Sequence, residues 1–185
     1  MAREPVSVLI VSTALRPGSK TRVIADAVAA ACAAAAIPAG VLDLAATPLP
    51  LCDGGACYQD PGVVAVTAQV RAARAVVFCF PVYNHQANAA AKNFVEVTNA
   101  GWEGKVIGLV ANGGTDRSYL APLSLANSLM VDYRCLVVPR FVFVTPANFE
   151  SDGRLPPGGE IATRLADLAR ELAHLAPLWP IGPRT

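Results

Sequence analysis

Apolar and polar positions alternate in blocks of two kinds along this chain. Short, nearly continuous apolar runs occur at Val6–Val11, Val41–Leu44, Ala75–Phe80, Lys105–Ala111 and Leu136–Val144. Runs this short and rich in β-branched residues suit strands that are covered on both faces. Between them lie longer segments with helical patterning: Lys20–Ala36, Pro61–Ala73, a stretch from just after Pro81 to about Val97, and Leu120–Tyr133. In a fifth such segment Ile161, Leu165, Leu168, Leu172 and Leu175 recur at steps of three and four, forming a one-sided apolar stripe.

The punctuation agrees with this division. Pro38 and Gly40 close the first helix, while Asp60 and Pro61 offer the second an N-cap and a first-turn proline. Residues 45–60 read as loop. Pro139 has no N–H for a ladder, so the last apolar run is expected at a sheet edge. Strands alternating with helices predict an α/β fold, a five-stranded parallel sheet with right-handed crossovers and helices on both faces. Ligands of such sheets bind beyond the carboxyl ends of the strands, where the winding reverses.

Three loops at those ends carry the chain's concentrated polar chemistry. The first runs from Ser12 to Thr21, where Thr13, Arg16, Ser19, Lys20 and Thr21 precede or open a helix. A helix N-terminus with free N–H groups favours an anion, and Arg16 offers a bidentate fork for phosphate oxygens. A plain capped turn, with Ser19 or Thr21 as the cap and Arg16 in solvent, is the simpler alternative. The second loop is Pro81-Val82-Tyr83-Asn84-His85-Gln86, and the third is Asn112-Gly113-Gly114-Thr115. Paired glycines let backbone approach a flat ligand. The fingerprints of P-loop nucleotidases and of dinucleotide-binding Rossmann folds are both absent.

Composition narrows the picture. With 185 residues the chain is expected to form one domain, residues 1–185. A hydrophobic share of 54% excludes disorder, and 15 Lys+Arg against 14 Asp+Glu leave no basic surplus for nucleic acid. The uncharged stretch Ala27–Leu42 is alanine-rich and broken by Pro38 and Gly40, so despite a mean hydropathy of +0.42 no membrane span is expected. Arg3 and Glu4 at the start do not suit a secretory signal, and five cysteines cannot all pair within one chain. A cytoplasmic protein is expected. Cys32 and Cys79 read as small core hydrophobes. Cys52 and Cys57, close together in a loop, read as plain thiols, with a reversible disulfide or a metal site left open. Two histidines, His85 and His174, cannot build a His-rich metal centre, and no nucleophile elbow is present.

Taken in order, the three loops resemble the NADPH-dependent FMN reductase family of flavodoxin-like proteins. Leu15-Arg16-Pro17-Gly18-Ser19-Lys20-Thr21 resembles the family's phosphate loop, and Pro81-Val82-Tyr83-Asn84 with Lys92-Asn93 resembles the segment lining its flavin ring. Asn112-Gly113-Gly114-Thr115 resembles its Gly-Gly loop beside the pyrimidine. The likeness spans roughly residues 6 to 144. It implies a flavodoxin-like three-layer sandwich with strand order 2-1-3-4-5. It also implies FMN as cofactor and NADPH or NADH as hydride donor, with a flavin, quinone or azo-type small-molecule acceptor. The implied flavin-binding residues are Thr13, Arg16, Ser19, Lys20, Thr21, Pro81, Val82, Tyr83, Asn84, His85, Asn112, Gly113 and Gly114, with no side chain as catalytic acid, base or nucleophile. A homodimer or homotetramer is implied too, with Phe94, Val97, Leu123 and Leu129 as candidate contacts or core residues. Several positions depart from the family pattern: Ala14 replaces a serine, Thr13 stands where glycine is common, Asn88-Ala89 replaces Pro-Gly, and His85 replaces a small residue. An electron carrier of flavodoxin type, or a binding module poor in cofactor, is the competing reading.

Overall fold

The computed structural model describes residues 7–179. In chain order the elements are β1 (Val8–Ser12), α1 (Lys20–Ala34), β2 (Ala39–Asp43), α2 (Pro61–Ala72), β3 (Ala75–Tyr83), β4 (Gln86–Ala87), α3 (Ala89–Val97), β5 (Val106–Asn112), α4 (Pro122–Tyr133), β6 (Leu136–Val137), β7 (Val142–Val144) and α5 (Glu160–Leu175). The sheet runs β2-β1-β3-β5, with β6 and β7 both pairing β5 on its outer side. All these pairings are parallel, so the order is the expected 2-1-3-4-5 with a divided fifth strand. This is the flavodoxin-like three-layer sandwich.

Alternation along the strands sorts the core into two faces. Leu9, Val11, Val76, Phe78, Ile107 and Leu109 pack with residues of α2, α3 and α4, and Phe78 stacks on Trp102 with ring centroids 5.2 Å apart. Val8, Ile10, Val77, Cys79 and Val110 pack with α1 and α5, where the predicted stripe Ile161, Leu165, Leu168 and Leu172 is buried. At Gly108 a Cβ would stand 3.1 Å from Leu168, so α5 lies close against the sheet only because that strand position has no side chain.

Two expectations need correction. The helix foreseen directly after Pro81 is instead a strand continuation and a hairpin: β3 runs on through Tyr83, and β4 returns antiparallel to it. Pro81 is tolerated because the strand it faces in parallel register, at Asn112, ends there. The single fifth strand is broken at Pro139 and Arg140, the latter with φ of 60°. Ile107 pairs Val137 and Val110 pairs Val142, so the outer strand spends two more residues than β5 over the same length and bulges there. The edge position read from Pro139 stands. Phe94, Val97 and Leu129 are fully or almost fully buried and belong to the core, whereas Leu123 is exposed. Val6, read as the start of the first strand, lies outside the described residues.

Candidate functional site

The loop after β1 is shaped by its own residues. Gly18 sits at φ +67°, a conformation that glycine adopts without strain, and turns the chain into α1. Ser19 caps the helix, its Oγ accepting from the Thr21 N–H at 3.2 Å. The first turn of α1 contains no acidic residue. The positive end of the helix dipole and the N–H groups that no helical carbonyl can reach are therefore left without a negative partner from that turn. Arg16 is exposed beside it. Lys20 is half-buried, with Nζ 4.5 Å above the Phe149 ring. The sequence reading of Ser19 as a cap and the reading of the loop as an anion site are both compatible with this geometry, since one hydroxyl satisfies one N–H only.

Two side-chain clasps tie the three loops together. Thr13 is fully buried. Its Oγ1 donates to Asn88 Oδ1 at 2.7 Å, and its carbonyl accepts from Asn88 Nδ2 at 2.7 Å. Asn88 opens α3 but makes no side-chain cap bond there, because its amide is turned to the first loop instead. The second clasp runs from Asn112 Nδ2 to Thr21 Oγ1 at 3.2 Å, joining the end of β5 to the first turn of α1. Asn88 was not among the site residues read from the sequence. Its partner lies 75 positions away, and no local pattern announces the pair.

In the second loop, Asn84 and His85 occupy the two central turn positions with φ of 50° and 61°. Positive φ at both positions is the two-residue turn whose twist matches a hairpin. The turn carries Tyr83, Asn84 and His85 beyond the sheet edge, all exposed, while Pro81 is buried and Val82 half-buried. In the third loop Asn112 is half-buried, and the Gly113 N–H donates to the Val144 carbonyl at 2.8 Å. The requirement for glycine at 113 is internal, because a Cβ there would stand 2.4 Å from Phe143 Cζ. Gly114 is exposed with open space around its Cβ position, so of the pair only this one offers bare backbone outward.

One further feature escaped the sequence reading. An apolar cavity of about 360 Å³ lies between the first loop, at Leu15, the segment Leu44–Leu51 after β2, and Ala89, Ala90 and Asn93 of α3. Its signal was the leucines spaced among Pro48 and Pro50, which read simply as loop. Asn93 holds its rim, with Nδ2 donating to the Pro50 carbonyl and Oδ1 accepting from the Cys52 N–H, both at 2.9 Å. The cavity meets the segments read from the sequence at Leu15 and at Asn93 and does not include the hairpin or the Gly-Gly loop. The helix N-terminus and the loops joined by the clasps form a separate edge of the same end of the sheet. His174 is exposed on α5, and among the described residues no group of three or more His, Cys, Asp or Glu side chains is placed to hold a metal. Nor is any helix among them long and apolar enough to cross a membrane.

Comparison with known proteins adds the family. The model of the NADPH-dependent FMN reductase family matches residues 6–149. An NAD(P)H-dependent FAD/FMN reductase of Geobacillus thermodenitrificans is 28% identical over 140 residues, 73% of this chain and 74% of that protein. Among solved structures, an oxidoreductase from Corynebacterium diphtheriae aligns with a TM-score of 0.73 at 24% identity, covering 96% of this chain and all of that one. The flavoenzyme NAD(P)H:acceptor oxidoreductase FerB of Paracoccus denitrificans aligns with a TM-score of 0.77 at 16% identity, covering 95% and 100%. These two likenesses show the fold. The family match, over more than three quarters of the sequence and across all three loops, shows that the chain belongs to the NADPH-dependent FMN reductases and is an oxidoreductase of their NAD(P)H- and FMN-using type.

Proposed function

We propose that this protein holds FMN at the carboxyl edge of its sheet and passes reducing equivalents from NADPH or NADH to a small flavin, quinone or azo-type acceptor. The observation that carries the placement is the N-terminus of α1, free of acidic residues in its first turn and flanked by Arg16, Ser19 and Lys20. That donor set fits a phosphate dianion: a guanidinium fork, a capping hydroxyl and outward backbone N–H groups. FMN, when bound, supplies the two-electron chemistry. Arg16 and the helix end hold its anionic tail. Thr13 positions the first loop through Asn88 and does not spend its hydroxyl proton on the ligand, while Asn112 fixes the first turn of α1 through Thr21. Tyr83, Asn84 and His85 on the hairpin, with Pro81 and Val82 behind them, flank the ring on one side, and Gly113 and Gly114 flank it on another. Ala14, almost fully buried, contributes no hydroxyl, so the tail is held with one donor fewer than the family pattern provides.

The reading extends to setting and assembly. Residues 1–185 act as one domain in the cytoplasm, where five free cysteines are at home, and the protein works as a homodimer or homotetramer. The test is a titration of the purified protein with FMN followed by visible absorption, then steady-state oxidation of NADPH and NADH with FMN, menadione or an azo dye. Bound flavin and acceptor-dependent turnover are expected. Arg16→Ala should weaken FMN binding by about tenfold or more, the loss of one charge-assisted pair, without changing the fold. Flavin binding without NAD(P)H turnover would replace the reading by an electron carrier, and no binding at all would replace it by a cofactor-poor module.

A further inference from the structure

Beside the apolar cavity, the loop between β2 and α2 brings two thiols together. Cys52 is half-buried and Cys57 almost fully buried, with their sulfurs 4.0 Å apart. The Tyr58 hydroxyl lies 3.5 Å from the Cys52 sulfur, and the Asp53 carboxylate accepts from the N–H groups of Gly55 and Cys57 at 2.8 and 3.1 Å. Between the thiols, Gly54 is at φ +72° with open space around it, and Gly55 meets only the Asp53 carboxylate, at 3.9 Å. A disulfide needs its sulfurs at about 2.05 Å, so the loop must contract by roughly 2 Å, and these two glycines leave it room to do so. None of this is used by the flavin site.

We propose that Cys52 and Cys57 form a peroxide-reactive dithiol, with Cys52 the attacking and Cys57 the resolving thiol. The division of roles follows from access and environment. Cys52 is the more exposed, and hydrogen bonds from Tyr58 and from the Gly54 backbone favour its thiolate and lower its pKa. Burial, then the neighbouring Asp53 carboxylate, raises that of Cys57, which stays protonated until it is needed. The Cys52 thiolate attacks one oxygen of hydrogen peroxide and breaks the O–O bond. Cys52 becomes a sulfenic acid, and the departing hydroxide takes a proton to leave as water. The Cys57 sulfur then displaces hydroxide from the Cys52 sulfur, which leaves as a second water with the Cys57 proton. Two thiols lose two electrons and two protons, and one peroxide is reduced to two waters. The remaining cysteines are unsuited to either role: Cys32, Cys79 and Cys135 are buried, and burial raises the pKa of each.

The experiment is a thiol count on the whole purified protein, denatured before and after brief exposure to a small excess of hydrogen peroxide, with peptide mass mapping. The count is expected to fall from five to three, with Cys52 and Cys57 in one linked fragment, and to return to five with a dithiol reductant. Cys57→Ser should instead accumulate a sulfenic acid at Cys52 that dimedone traps, and Cys52→Ser should keep all its remaining thiols. An unchanged count, a loss at any other cysteine, or irreversible oxidation of Cys52 with Cys57 still free would each overturn the proposal.

Discussion

Thr13 and Asn88 exchange two hydrogen bonds across 75 residues of chain, and both are sealed from solvent. A buried donor or acceptor that loses its partner costs about 1–3 kcal/mol, so Asn88→Ala, which strands both the hydroxyl and the carbonyl of Thr13, is expected to destabilise the fold by about 2–4 kcal/mol. Urea denaturation measures this directly, and flavin affinity should fall with it because the first loop loses its anchor. Ser12, one position earlier, is the opposite case. Its Oγ is buried and has no hydrogen-bond partner among the described residues. Replacing it by alanine removes an unmet polar group, so Ser12→Ala should leave stability unchanged or raise it by about 1 kcal/mol. A clear loss of stability would show that the hydroxyl has a partner after all.

The hairpin of β3 and β4 is the element that sequence patterning described least well. Strand centres such as Ala75–Phe80 were legible because both faces of the sheet are covered and the apolar run is unbroken. The turn was not, because the usual Asn-Gly signature reads here as Asn84-His85, and Pro81 looks like the start of a helix rather than the inside of a strand. His85 at φ 61° is strained relative to glycine, so His85→Gly is expected to stabilise the protein by about 0.5–1 kcal/mol. Thermal unfolding checks the sign. The Gly-Gly loop was legible as a feature but not in its reason, since Phe143, thirty residues further on, is what excludes a side chain at 113. Gly113→Ala should cost about 1–3 kcal/mol through overpacking, and much of that should return in a Phe143→Leu background, the two changes coupling in a double-mutant cycle. In the Cys52–Cys57 loop, bonds from the Cys57 thiol and then from the Cys57 and Gly55 N–H groups hold the Asp53 carboxyl at about 2, below its ordinary 3.8. A carboxyl lowered in the folded state stabilises the loop above the ordinary value and ceases to as pH falls through the folded one. The Gly55 and Cys57 amide resonances should therefore titrate with a midpoint near 2.

At the scale of the whole molecule, a parallel sheet with helices on both faces followed from the alternation of strands and helices, and its order from the resemblance of the three loops. The residues that weld three separate loops into one edge did not, since they are distant in sequence and meet only once the sheet has formed. The charges nearly cancel, at +1 overall, so long-range steering contributes little and the attraction for anions is concentrated locally. That concentration has a consequence for handling the flavin-free protein. If the α1 terminus beside Arg16, with no acidic residue in its first turn, holds the flavin phosphate as proposed, it will also seat small oxyanions, so inorganic phosphate or sulfate should raise the melting temperature of the apoprotein in a saturable way where chloride of equal ionic strength does not. The same salts should compete with FMN, and flavin affinities measured in phosphate buffer will be weaker than those measured in an amine buffer.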